Sequence, residues 1–290
     1  MLQWILSYGA EGNFDFKNAK NQGVKFAILR AGYTGSSDGV SKGIDNKFET
    51  YYKECEKLGI PKGAYWFSRA TSKEKGISEA KFMHEKCLKG KKFEYPIYID
   101  VEDTKYQKKA SKSAVTEAIK GFCDYLEDLG YYVGIYASDI SGFKDMMNIN
   151  DLTSYDKWVA RYGSEPKYVT NYGMWQFTSS NGKIKNAGNS LDLDYSYKDY
   201  PSIIKKAGLN GYSKQATTPK EKPNKEEPKK ETKIYYTVKK GDCLWNIAKQ
   251  YLIDEHKNDP DYKPTNQDIL EHKSNVDEYV EEILNIFGDQ

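Results

Sequence analysis

Short apolar runs alternate with amphipathic stretches through the first half of this chain, and that order restricts the fold more than any other feature. Lys25-Phe26-Ala27-Ile28-Leu29-Arg30-Ala31-Gly32, Gly63-Ala64-Tyr65-Trp66-Phe67-Ser68, Ile97-Tyr98-Ile99-Asp100-Val101 and Tyr132-Val133-Gly134-Ile135-Tyr136-Ala137 are rich in β-branched and aromatic residues and read as strands. Between them, residues 45–58, 73–88 and 111–129 carry helical periodicity. Gly59-Ile60-Pro61 stops the first of these helices and Gly130 the last. A further strand is expected at Gln3–Tyr8 and a short helix around Phe14–Asn21. Beyond residue 137 the strands crowd together, at 158–162 and 174–177. Strand and helix in repetition, followed by strands alone, predict an α/β fold: an irregular TIM-like β/α barrel with a β-rich closing section.

In such a barrel the C-terminal strand ends converge on one face, where active sites lie. Arg30, Ser68, Asp100 with Glu102, and Arg161 all fall at expected strand ends. The most informative run is Tyr95-Pro96-Ile97-Tyr98-Ile99-Asp100-Val101-Glu102-Asp103. Residues two apart on a strand share a face, which sets Asp100 and Glu102 side by side, roughly 6–7 Å apart. Two readings stand. The acids can mark a strand end entering solvent and pairing with lysines. Alternatively, repulsion and partial burial raise one carboxyl, making a proton donor beside an ionised partner. The convergence of several strand ends favours the second.

With 290 residues the chain has room for one sizeable domain and something small. A formal net charge of +2, with 30% charged residues, describes a near-neutral surface with no global basic field for nucleic acid. No apolar run approaches the length of a transmembrane helix, so membrane insertion is not expected. Met1–Ser7 lacks the basic and apolar regions of a secretory signal. Cys55, Cys87, Cys123 and Cys243 form no CxxC pair and read as buried thiols of a chain made in a reducing cytoplasm. His84, His256 and His272 are isolated and make no metal set. The 25 tyrosines suit a surface that stacks on sugars, and equally the strands of an ordinary domain. From Lys214 to Lys233 the chain is almost entirely Lys, Glu, Pro and Thr, an extended charged linker. The expected organisation is a barrel over 1–210, a linker over 211–233 and a small α+β segment over 234–290.

Several of these runs carry a resemblance when taken in order. Arg30-Ala31-Gly32-Tyr33, Gly63–Ser68, Ile99-Asp100-Val101-Glu102, Gly134-Ile135-Tyr136, Trp158-Val159-Ala160-Arg161-Tyr162, Met174-Trp175-Gln176-Phe177-Thr178 and Leu191-Asp192-Leu193-Asp194 together resemble the family 25 glycoside hydrolases. These are the Chalaropsis-type lysozymes of phage endolysins and bacterial autolysins, and the resemblance covers roughly residues 1–205. It implies an irregular β/α barrel that cleaves the β-1,4 bond between N-acetylmuramic acid and N-acetylglucosamine. In the D-x-E motif it makes Glu102 the proton donor, and Asp100 an assisting carboxylate for the reacting N-acetyl group. It places Asp192 in the same acidic groove. Tyr65, Tyr136, Trp158, Gln176 and Arg30 become candidate substrate contacts, with core packing the competing role for the first four; Trp66 and Phe67 are expected in the core. Glycoside cleavage needs a protonated acid at the leaving oxygen and a second group that stabilises the sugar cation. A substrate acetamido group can itself supply the nucleophile, so carboxylate spacing does not forecast stereochemistry. No metal or organic cofactor is required.

One departure stands out. The family opens with a G-I-D-V-S-like strand whose aspartate reaches the groove, and here Gln3-Trp4-Ile5-Leu6-Ser7 puts Ile5 about where it belongs. An altered start, a shifted reading frame and an inactive variant would all look like this. Losing a groove carboxylate can cost orders of magnitude in rate. In the C-terminal part, Ile234–Tyr251 resembles the opening strand and first helix of a LysM module, a fold that binds N-acetylglucosamine-containing chains, while its usual continuation is not visible. The leading expectation is a peptidoglycan hydrolase of Gram-positive walls, made without a signal peptide and acting after release. The alternative is a peptidoglycan-binding protein with impaired catalysis, and a third reading is a glycosidase of chitin-like polymers. Oligomeric state is not written in the sequence.

Overall fold

A computed structural model describes residues 14–179 and 192–213 of the chain. The expected strand at 3–8 with Ile5, the linker from residue 214 on, Cys243 and the LysM-like segment lie outside the described residues. All described residues belong to the first of two units, which divide the chain near residue 220.

The elements run α1 (Phe16–Asn21), β1 (Ala27–Thr34), β2 (Lys42–Ile44), α2 (Phe48–Leu58), β3 (Lys62–Phe67), α3 (Lys73–Met83), β4 (Ile97–Asp100), α4 (Lys112–Asp128), β5 (Val133–Ser138), β6 (Asp156–Ala160), β7 (Met174–Thr178), β8 (Leu193–Ser196) and α5 (Tyr200–Ala207). Among the described residues they form one eight-stranded sheet in the order β2-β1-β3-β4-β5-β6-β7-β8. From β1 and β3 through β7 every pair is parallel, whereas β2 and β8 pair antiparallel at the two edges. This is the α/β architecture expected from the sequence, with β6, β7 and β8 as its helix-poor closing section.

Period-2 alternation divides the side chains into two layers. Ala27, Leu29 and Ala31 of β1, with Ile97, Ile99 and Val101 of and just after β4, join the layer shared with residues of α2, α3 and α4. Ile28, Tyr65, Tyr98, Tyr136, Trp158 and Met174 fill the other layer, with Tyr200 and Ile204 of α5. Asp100 follows Tyr98 by two and so turns toward this inner side. The three described cysteines are buried and free.

Several elements differ from the sequence reading. β4 stops at Asp100, so Glu102 lies in the turn after the strand rather than on it. The helix expected over 73–88 changes at Met83 into a π-helical turn, His84–Leu88. β2 and β8, strands of three and four residues at the edges of the sheet, were not expected from the sequence. Also unforeseen was α5, although Asp199 caps it by accepting from the Ser202 N–H at 3.2 Å and Gly208 closes it at φ 71°.

α3 and α4 touch backbone to backbone. A Cβ on Gly76 would lie 1.9 Å from the Ala118 carbonyl oxygen, and one on Gly121 would lie 2.3 Å from that of Lys73. A larger residue at 76 gains about 1 kcal/mol in helix propensity over glycine, less than overpacking costs. Gly76→Val is therefore expected to lower stability by roughly 1–3 kcal/mol, read as a lower urea midpoint with an unchanged slope.

Candidate active site

The parallel strands point their C-terminal ends to one side, and four carboxyl groups meet there. Asp100 ends β4, Glu102 follows in the turn, and Asp192 and Asp194 flank Leu193 at the start of β8. Asp100 is only 4% exposed. Burial pushes its carboxyl well above the ordinary range; the nearby charge of Glu102 and that of Asp192 push the same way, while Arg30 and Arg69 oppose. Burial likewise raises Glu102, against a hydrogen bond from the Ser138 backbone N–H. Asp192 is pushed up to about 7 by burial and by the charge of Glu102. Asp194, fully buried, is raised by burial although the Trp158 indole N–H donates to it. Burial thus shifts the carboxyls of the groove toward their protonated form, the direction needed for protonating a leaving oxygen.

Two phenols and an amide line the same space. The Tyr136 hydroxyl donates to Gln176 Oε1 at 2.8 Å and the Tyr162 hydroxyl donates to the same oxygen at 3.0 Å. With its carbonyl so engaged, Gln176 turns Nε2 elsewhere. That nitrogen, Asp100 Oδ1 and Asp194 Oδ2 are buried and have no hydrogen-bond partner among the described residues. One donor and two carboxyl oxygens are therefore left to receive polar groups of a ligand or water, since buried polar groups rarely stay unpaired. Tyr136 feels the charges of Glu102, Asp100 and Asp192, which places it among the acids.

The other expected site residues fare differently. Tyr65 is buried and meets the Trp158 ring edge-on at 6.3 Å. Trp158 has no exposed surface; it supports the floor by donating to Asp194 instead of facing the groove. Arg30 pairs with Asp45 at 2.6 Å, close enough to Asp100 to lower its pKa. Trp66 lies in the core as expected, whereas Phe67 is half-buried beneath the Arg69 guanidinium at 4.7 Å.

Two strand-end residues do not join the groove. Ser68 is fully buried and donates to Glu79 of α3 at 2.6 Å. The guanidinium of Arg161 bonds Asp139 at 2.8 Å and Ser164 at 3.0 Å. Burial works to raise Asp139, but N–H groups of Lys167 and Val169 and the Arg161 guanidinium outweigh it and hold it below the ordinary carboxylate range. This clasp fixes the segment after β6.

Tyr162 and Asp194 are the groove residues that sequence reasoning missed. Asp194 was within reach, since Asp192 and Asp194 show the same two-residue spacing as Asp100 and Glu102. Tyr162 stands one residue past the noted Arg161 and is 55% exposed with its hydroxyl in the groove. Among the described residues no cluster of His, Cys, Asp and Glu could hold a metal ion.

Comparisons with known proteins give the family of the chain. The model of the glycosyl hydrolases family 25 matches residues 7–186, and that of the LysM domain matches residues 236–257. The chain belongs to the glycosyl hydrolases family 25 and is a glycoside hydrolase of the lysozyme class, a peptidoglycan hydrolase. Among solved structures, the CTP1L endolysin is 24% identical with a TM-score of 0.59, over 70% of each chain. The catalytic domain of endolysin ply40 from bacteriophage P40 of Listeria monocytogenes is 25% identical with a TM-score of 0.56, over 70% of this chain and 97% of that one. The lysozyme from Streptomyces coelicolor shares the fold at 17% identity and a TM-score of 0.59, over 73% and 99%. No curated protein sequence matches the chain.

The raised acids have a consequence for stability. Asp192 titrates near 7 when folded and near about 3.9 when unfolded. Below both values the proton is bound in either state and the group is neutral to stability. As pH rises between them the unfolded chain ionises while the folded one keeps its proton, so stability is lost up to about 7. Asp192→Asn is therefore expected to raise the melting temperature at about pH 8 and to leave it unchanged near about pH 3.5.

Proposed function

We propose that the chain cleaves the β-1,4 bond between N-acetylmuramic acid and N-acetylglucosamine, with Glu102 as proton donor. The observation that carries this reading is the acidic groove at the strand ends, where carboxyl groups lie beside one another and burial raises their pKa values. Glu102 protonates the glycosidic oxygen as the bond to the anomeric carbon breaks. Asp100 orients the acetamido group at C2, whose carbonyl oxygen then supports the developing cation, and Asp192 lines the same side of the groove. Water completes the reaction and Glu102 recovers its proton. Gln176, held by Tyr136 and Tyr162, offers an N–H to the sugar, and Tyr65 and Arg30 bound the space. The division into a barrel over 1–210, a linker over 211–233 and a wall-binding segment over 234–290 fits this activity. On this reading the partner is the glycan of the Gram-positive wall, reached after release from the cell. Among the described residues no helix is long and apolar enough to cross a membrane.

The test counts new reducing muramic acid ends released from purified walls. Glu102→Gln keeps the shape and removes the acid, so product formation is expected to fall by about 10²–10⁴-fold. Wild-type product carrying reducing N-acetylglucosamine ends in place of reducing muramic acid ends would refute the assigned bond.

A second reading, a wall-binding protein with impaired catalysis, is motivated by Ile5. Ile5→Asp in the full chain separates the two. With a working wild type, the substitution is expected to change the rate without being required for product. A silent wild type that becomes active as Ile5→Asp would establish the impaired reading.

A further inference from the structure

Glu102 sits in a turn, and the fold grips the residue on either side of it. On one side the Val101 N–H donates to the Tyr136 carbonyl at 2.9 Å. On the other, Asp103 is buried and its polar groups are all engaged. Its carboxylate accepts the Arg69 Nε–H at 2.8 Å and the backbone N–H groups of Tyr106 and Gln107 at 2.5 and 3.2 Å. Its own N–H donates to Gln107 Oε1 at 3.2 Å, and its carbonyl accepts from the Lys108 N–H at 3.0 Å. Glu102 is therefore a single residue between two fixed points.

Arg69 relates this turn to the rest of the sheet. Its guanidinium bonds the Thr34 carbonyl at the end of β1, lies 4.7 Å from the centre of the Phe67 ring at the end of β3, and holds Asp103 after β4. These are three neighbouring strands of the sheet. A planar guanidinium carries donors in several fixed directions, whereas a lysine ammonium is a compact point charge. Gln107 joins the turn to β3 by a second route, since its Nε2 donates to Ser68 Oγ at 3.2 Å.

We propose that Arg69 and Gln107 are positioning residues for Glu102, which clamp Asp103 and so hold the proton donor half-buried at the groove. The inference rests on the reading of Glu102 as proton donor. Both residues act through Asp103. The groups whose charges bear on Glu102, or feel its charge, are Asp100, Asp192 and the phenols of Tyr136 and Tyr162. Arg69 and Arg30 also bear on Asp100, where they oppose its rise. A change that keeps the charge at 69 therefore separates position from electrostatics.

The test uses the full chain as wild type, Arg69→Lys and Gln107→Leu, with Ile119→Val as a destabilised control in the core of α4. The ionisation midpoint of Glu102 is followed by carboxyl carbon NMR, its signal assigned by its loss in Glu102→Gln. Arg69→Lys and Gln107→Leu both leave the net charge unchanged. Releasing the turn exposes Glu102 to water, so in both variants its midpoint is expected to fall toward the ordinary glutamate value. A displacement of about 1 Å can cost about 10²-fold, and kcat is expected to fall roughly 10–100-fold with KM changing far less. Ile119→Val is expected to lower the melting temperature and to leave the midpoint and kcat in place. A midpoint that stays put in either folded variant overturns the proposal, as does an equal shift in Ile119→Val. Should Arg69→Lys fail to fold, Gln107→Leu decides alone. A silent wild type sinks the hydrolase reading, and full activity in Glu102→Gln sinks the donor assignment. The midpoint is read without turnover and judges the clamp in either case.

Discussion

Much of this site hangs on one buried carboxyl group, that of Glu79. From α3 it accepts the Thr34 hydroxyl at the end of β1, the Ser68 hydroxyl just past β3 and the Arg69 backbone N–H, at 2.6, 2.6 and 3.0 Å. Ser68 also accepts from Gln107 at 3.2 Å, and Gln107 takes the Asp103 N–H at 3.2 Å. Asp103 in turn holds the Arg69 guanidinium at 2.8 Å. Glu102 is the residue before Asp103. The acid that ends up in the groove is thus positioned by a closed polar network on the far side of its own loop. Burial still raises the pKa of Glu79 despite its donors. A network of this kind specifies one arrangement because every member would be costly to leave unpaired.

The chain treats its buried acids in two ways. Asp139 and Glu79 are surrounded by donors, and their work is to tie segments together. Asp100, Glu102, Asp192 and Asp194 lie close to one another with too few donors between them, and their pKa values rise. Such crowding lowers the stability of the folded state and is retained where chemistry needs a protonated acid. The tight contact of α3 with α4 lies on the other side of the account, as backbone packing that needs no polar group at all.

The alternation of strands and helices was plain in the sequence because strands such as β1, β3 and β5 are long and apolar. The same logic failed for β2 and β8, whose pairing comes from neighbours and not from their own pattern. The acidic pair at 100 and 102 was visible, and β4 ends at Asp100, two residues before Glu102. Ser68 and Arg161 looked like groove residues because strand position alone does not tell which way a side chain turns. Ser68 turned to Glu79, and Arg161 to Asp139. Tyr162 and Asp194 escaped because each sits one or two residues beyond a residue already noted, and only the Gln176 bonds and the Trp158 bond reveal them.

Neighbouring strands in the sheet follow the order of synthesis from β3 through to β8. Each strand after β3 can therefore pair with one already made, and the barrel can grow in the direction in which the chain leaves the ribosome. Asp192 and Asp194 arrive with the last of these strands, some ninety residues after Asp100. A nascent or truncated chain can hold Glu102 in its loop and still lack half of the acidic wall opposite it. Completion of the site is timed by topology, and catalytic competence becomes a property of the finished barrel.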